Sequence, residues 1–231
     1  MTTPRFQNRR DAGRRLATLL HGFANRPDVI VLALPRGGVP VGFEIATALG
    51  LPLDVFVVRK LGVPWHEEFA MGAVASGGVR VLNPDVIRQA SVSDEELRHT
   101  TAVEVAELER REKEYRDDQP FPDLRGQTVI LVDDGLATGS TMRAAVAAVR
   151  KQRAAHVVVA VPVASRDGCA AFRHIADEII CAEVPEPFEA VGLWYDDFAQ
   201  TTDDEVRELL DRARRRTRGE LTGSTKATYG R

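Results

Sequence analysis

Apolar residues in this chain gather into short unbroken runs rather than alternating ones. Val29–Leu34 (VIVLAL), Leu53–Val58 (LDVFVV), Thr128–Val132 (TVILV), His156–Val163 (HVVVAVPV) and the run from Glu178 to Ala182 are of this kind. A strand covered on both faces has no polar side to show, so such runs predict the strands of a buried parallel sheet. Helical stretches lie between them: Asn8–Gly22 with Leu16, Leu19 and Leu20 on one side, Val41–Leu49, the Ala-rich Thr141–Lys151, and Cys169–Ala176. Met71–Ala75 and Val79–Leu82, split by Ser76-Gly77-Gly78, read as a hairpin. Ser93 with Glu96 three residues on is a capping box, opening a helix to about Arg116 whose apolar stripe is Leu97, Thr101, Val105, Leu108 and Tyr115. Strands alternating with helices place the chain in the α/β class, with a mainly parallel twisted sheet flanked by helices.

Composition narrows this further. The 231 residues are 44% hydrophobic, which supports a sizeable core and excludes a globally disordered or collagen-like chain. A formal charge of −3 gives no overall attraction to nucleic acid. No apolar run approaches the ~20 residues of a membrane span. The N-terminal stretch has scattered arginines and no apolar core of a signal peptide, so a cytoplasmic setting is expected. Cys169 and Cys181 are expected as small buried hydrophobes in a reducing compartment. After position 210 there are seven basic and two acidic residues. The expected organisation is one domain over 1–216, then a disordered basic tail over 217–231, rich in Gly, Ser and Thr.

In a parallel sheet, ligands bind beyond the carboxyl ends of the strands. Polar or glycine-bearing segments stand at those places: Pro35-Arg36-Gly37-Gly38, Arg59-Lys60-Leu61-Gly62, Asp133 to Thr141, and Ala164 to Gly168. The third is the most informative. Four apolar residues run into the paired carboxylates Asp133 and Asp134, and a loop of small residues then opens a helix. Gly135 and Gly139 permit close backbone approach. Main-chain N–H groups from Ala137 through Thr138, Gly139 and Ser140 to Thr141 can surround a phosphate at a helix N-terminus. The loop has no lysine and no G-x-x-x-x-G-K-[ST], so it is not a Walker loop. Two acids one sugar's length from a phosphate cradle suit the 2′- and 3′-hydroxyls of a ribose 5-phosphate. Asp-Asp-Gly taken alone also fits a turn with a helix cap.

The thirteen residues 129–141, V-I-L-V-D-D-G-L-A-T-G-S-T, resemble the phosphoribosyl pyrophosphate (PRPP) signature of type I phosphoribosyltransferases. The order of elements from about Val29 to Asp197 is similar to that family as well. The resemblance implies a small hood, from 1–25 and 184–210, and a mobile loop or hairpin over Leu61–Ala70. It implies that Arg36, Gly37 and Gly38 form a pyrophosphate loop, that Arg59 and Lys60 face the pyrophosphate, and that Asp133 and Asp134 hold the ribose and serve catalysis, Asp134 as candidate base. It also implies that Phe188 or Trp194 stacks on an acceptor base, and that Mg2+ meets Asp133, Asp134 and Asp196. The bare residues allow other readings: Arg59 and Lys60 as a strand end, Phe188 and Trp194 as core aromatics, His66 as an exposed loop histidine. H-E-E-F-A at 66–70 is not a zinc motif. Purine-type relatives carry a lysine where this chain has Val163-Ala164-Ser165-Arg166, so the base is left open. What the resemblance implies is transfer of ribose 5-phosphate from PRPP to a nitrogenous base with release of pyrophosphate, in a homodimer with no specific nucleic acid or membrane partner. A non-catalytic PRPP- or nucleotide-binding regulator and a hydrolase of a phosphorylated sugar or nucleotide are the alternatives.

Overall fold

Five of the strands form one sheet, every neighbouring pair parallel. They are β1 (Val29–Ala33), β2 (Leu53–Val55), β6 (Thr128–Val132), β7 (His156–Val163) and β8 (Glu178–Glu183), in the order β2-β1-β6-β7-β8. The computed structural model describes residues 5–117 and 119–226. A second sheet is antiparallel and has the order β3 (Val58–Val63), β4 (His66–Ala75), β5 (Val79–Leu82). The helices are α1 (Arg9–Leu19), α2 (Gly38–Leu49), α3 (Pro84–Gln89), α4 (Asp94–Arg116), α5 (Ser140–Lys151), α6 (Arg166–Phe172) and α7 (Asp203–Lys226), with short 3-10 turns at His21–Phe23 and Val191–Trp194. Among the described residues, no helix is long and apolar enough to cross a membrane.

The unbroken apolar runs divide their side chains between two cores. Val29, Val31 and Ala33 of β1, Ile130 and Val132 of β6, and Val158 and Ala160 of β7 face one side. There they meet Leu16 and Leu20 of the α1 region, α2, and Val206, Leu209 and Leu210 of α7. Ile30, Leu32, Val129, Leu131, Val157 and Val159 face the other side, against Met142, Ala145, Val146 and Val149 of α5 and Phe172 of α6. Because side chains alternate along a strand, a run with no polar position is what two covered faces require. Each such Val, Leu or Ile contributes about 1.5–3 kcal/mol of transfer free energy.

The structure corrects three expectations. The run expected as one strand over Leu53–Val58 is split. β2 ends at Val55, and the chain crosses into the antiparallel sheet, where the Val57 N–H donates to the Ser76 hydroxyl at 2.9 Å and the Ser76 N–H to the Val57 carbonyl. Arg59 and Lys60 therefore lie inside β3 and not at the end of a parallel strand. The cysteines are not separate thiols: Cys169 of α6 and Cys181 of β8 are joined in a disulfide, because α6 packs directly on β8. Helix α7 continues through 217–226, part of the stretch expected to be unstructured, and residues 227–231 lie outside the described residues.

Candidate active site

The strand order reverses between β1 and β6. From β1 the chain moves outward to β2, and β6 then returns to the other side of β1. That is the switch point, where the loops after adjacent strands splay apart and leave a crevice. The two loops at its mouth are Leu34–Gly37 and Asp133–Gly139. They are fixed together at the base, where Ala33 pairs with Val132 and the Leu34 N–H donates to the Val132 carbonyl at 2.8 Å. The Leu136 N–H donates to the Val163 carbonyl at 2.8 Å, tying the second loop to β7.

Glycines let these loops touch. A Cβ on Gly38 would lie 2.6 Å from the Val132 carbonyl oxygen and 3.0 Å from the Asp133 Cα, and one on Gly37 would fall on the Asp134 carboxylate. A Cβ on Gly135 would strike Val191, so the 3-10 turn at Val191–Trp194 lies over the acidic pair. The Pro35–Arg36 peptide is cis. Thus Arg36–Gly38, Asp133–Gly135 and the segment after β8 come together here, whereas Arg59 and Lys60 lie in β3.

Downstream, Gly139 takes a left-handed φ of 69° as the N-cap of α5, and no side chain caps that helix. The first N–H groups of a helix have no acceptor within it. Ala137, Thr138 and Ser140 around them are exposed. A loop of donors at a positive helix end, without a capping carboxylate or hydroxyl, can take a phosphoryl group.

The two acids differ in their surroundings. Asp133 Oδ1 accepts the Asp134 N–H at 2.9 Å. Burial, then the charge of Asp134, push the Asp133 carboxyl well above the ordinary carboxylate range. Asp134 Oδ2 lies 2.8 Å from both Nε and Nη2 of Arg9, the first residue of α1. Burial raises Asp134 as well, with Arg9 pulling against it. The Tyr195 hydroxyl donates to the Asp134 main-chain carbonyl at 2.5 Å. Burial, then the charge of Asp134, push its phenol far up, so it remains a donor. Neither Arg9 nor Tyr195 was singled out as a site residue in the sequence. No spacing links them to Asp134, since their contacts span 125 and 61 residues.

Other expected residues stand further off or are otherwise engaged. Arg36 pairs with Asp203 at the start of α7, at 3.5 Å. Arg59 Nε donates to Glu104 of α4 at 2.7 Å, and Lys60 is exposed. Trp65 and Phe69, on the β3–β4 hairpin, are 59% and 45% exposed, with His66 against Phe69. Phe188 and Trp194 pack with Phe6 and Tyr195, and among the described residues the buried Trp194 indole nitrogen has no hydrogen-bond partner. The Asp196 side chain is exposed, and its N–H donates to the Phe6 carbonyl at 2.8 Å. The N-terminal segment and the stretch after β8 thus meet through Phe6, which also donates its N–H to Trp194.

Among the described residues, no three His, Cys, Asp or Glu side chains come together as a metal cage. A pair of carboxylates in a phosphate-binding loop nevertheless suits Mg2+, which takes one or two protein carboxylates and completes its shell from substrate oxygens and water. Asp134 is engaged by Arg9, whereas the contact described for Asp133 is the N–H of its neighbour.

Residues 5–196 match the family described as phosphoribosyl transferase domain. A Mycobacterium tuberculosis protein with a provisional phosphoribosyl transferase name, recorded from two strains, is 47% identical over 210 residues. That match takes in 91% of this chain and 47% of the relative, so the chain spans about half the length of the curated relatives it matches. The crystal structure of the protein TT1426 from Thermus thermophilus is 42% identical, with a TM-score of 0.79 over 89% of this chain and 97% of that one.

Proposed function

The chain belongs to the phosphoribosyl transferase family, and from that premise we propose that it binds PRPP with Mg2+ and transfers ribose 5-phosphate to a nitrogenous base, releasing pyrophosphate. One observation carries the proposal. An acidic pair and an uncapped, exposed helix N-terminus sit in one loop at the switch point, with the Gly37-Gly38 turn pressed against the pair. The family resemblance adds a homodimer to this reading.

The chain's residues divide the ligand by its chemistry. Main-chain N–H groups from Ala137 to Thr141 take the 5-phosphate, helped by the Thr138, Ser140 and Thr141 hydroxyls. Asp133 and Asp134 take the vicinal hydroxyls. The Arg36-Gly37-Gly38 turn, its main chain close to the acids, takes the pyrophosphate. Mg2+, when bound, offsets negative charge on the leaving group. In the reaction the acceptor nitrogen forms a bond to C1, the bond from C1 to the pyrophosphate oxygen breaks, and the electron pair leaves with pyrophosphate. Positive charge grows on the sugar beside the acids, so the protein contributes position and electrostatics and no covalent nucleophile. The proton on the cationic product nitrogen leaves to water or pyrophosphate, so no dedicated side-chain base is required.

The test is pyrophosphate release from PRPP with Mg2+ against a panel of purines, pyrimidines and related amides. Release that depends on one acceptor supports transfer. The Arg59–Glu104 pair favours a second reading, a binder without turnover, because it engages a group expected to face the pyrophosphate. Tight PRPP binding with no release for any acceptor selects that reading.

A further inference from the structure

We propose that Arg9 is a positioning residue for sugar recognition: by fixing Asp134 it sets how the acid pair meets two vicinal hydroxyls. The inference rests on the ribose-binding reading above.

Every arm of the Arg9 guanidinium is used. Nε and Nη2 each lie 2.8 Å from Asp134 Oδ2, Nη1 donates to the Ala199 carbonyl at 2.6 Å, and the guanidinium stands 3.9 Å over the Phe198 ring. Its side chain is 12% exposed and that of Asp134 is 17% exposed. Neighbouring arginines on the same helix are held otherwise. Arg10 reaches Glu205 at 3.9 Å and Arg14 reaches Glu44 at 3.7 Å, each from a side chain at least 41% exposed. Exposed pairs of that kind are worth little, whereas a fully engaged, part-buried fork fixes its partner's geometry.

Asp134 is held from further sides. Tyr195 grips its carbonyl, and Gly37 leaves room for its carboxylate and nothing more. Among the described contacts Oδ1 is the oxygen left to accept from a ligand. Among the described contacts Asp133 accepts the N–H of its neighbour. The pair therefore combines one oriented carboxylate with one open carboxylate. Hydroxyls on adjacent carbons need two acceptors at a set spacing, and a site that orders them before binding avoids ordering them at the moment of binding. Arg9 also joins α1, the Phe198–Ala199 segment and the β6 loop, so the orientation of one acid depends on the N-terminal helix being seated.

The test is calorimetric titration of the full chain with ribose 5-phosphate and with 2-deoxyribose 5-phosphate, read as the ratio of the two affinities. Wild type is expected to favour the ribose form by about tenfold, the scale of one charge-assisted hydrogen bond. In Arg9→Gln the ratio falls to about one. Arg9→Lys keeps the charge without the fork and lies between them. Asp134→Asn loses the preference too, and adding Arg9→Gln to it changes nothing more, because both act along one path. A merely structural role would weaken both sugars together and leave the ratio intact. An unchanged ratio in Arg9→Gln, tighter ribose binding, or additive losses would overturn the inference while leaving the ribose-binding reading in place. Should Arg9→Gln fail to fold, an unchanged ratio in Arg9→Lys overturns it equally. Wild type binding neither sugar would remove the ribose-binding reading, and this inference with it.

Discussion

Gly37 lies so close to Asp134 that a Cβ on it would fall on the carboxylate. The backbone there is ordinary, with φ −59° and ψ −33°, so the constraint is space and not conformation. Gly37→Ala is expected to displace Asp134 from Arg9 and to cost about 1–3 kcal/mol, the usual penalty for overpacking. Thermal unfolding measures the cost. PRPP titration should show at least as large a relative loss of affinity, since both walls of the crevice shift.

Asp133 offers a trade between stability and binding. Its folded pKa is raised by burial and by Asp134, whereas the unfolded value is about 3.9. Between those values the folded state holds a proton that the unfolded chain has lost, so stability falls as pH rises through the window. Asp133→Asn removes the proton uptake that opposes folding in this window and is expected to raise Tm at pH 7, with the gain shrinking as pH drops toward about 4. The same variant loses PRPP affinity at every pH. An equal Tm difference at both pH values would refute the burial argument.

Arg116 anchors the place where the chain leaves the main sheet. Its side chain is 3% exposed, and its Nε lies 3.0 Å from each Asp54 oxygen. Nη1 donates to Glu112 at 2.6 Å, Nη2 donates to the Val55 carbonyl, and the Phe121 ring lies 4.7 Å away. Arg116→Met strands a buried carboxylate and should cost about 3–5 kcal/mol. Adding Asp54→Asn should return part of that loss. A double variant no more stable than the single would contradict the pairing.

The capping box of α4 was legible to the residue: Ser93 accepts the Glu96 N–H, and Glu96 accepts the Ser93 N–H. Ser93→Ala is expected to cost about 1 kcal/mol in chemical denaturation. The unbroken runs at Val29, Thr128 and His156 were equally legible, because burial on both faces leaves a signature in each strand. The loop between β6 and α5 was legible too, since the apolar run ends at Val132 and the small residues that follow lead into the helix. Features made by tertiary contact were not legible. The break after Val55 depends on Arg116 and Ser76 taking over the backbone's partners, and both lie outside the run itself. The Cys169–Cys181 disulfide depends on how α6 sits on β8. Arg9 reads in sequence as one of several N-terminal arginines, and only the fold brings it to Asp134. Asn83-Pro84 carries a local signal for α3, since Asn83 accepts the Asp85 and Val86 N–H groups and Pro84 opens the helix.

The most direct measurement is a crystal structure of the chain grown with PRPP and Mg2+. The account predicts density for the 5-phosphate against the main chain of 137–141, ribose hydroxyls within hydrogen-bond distance of Asp133 and Asp134, and pyrophosphate at Arg36-Gly37-Gly38. Ligand bound elsewhere, or an empty crevice at saturating PRPP, would contradict it.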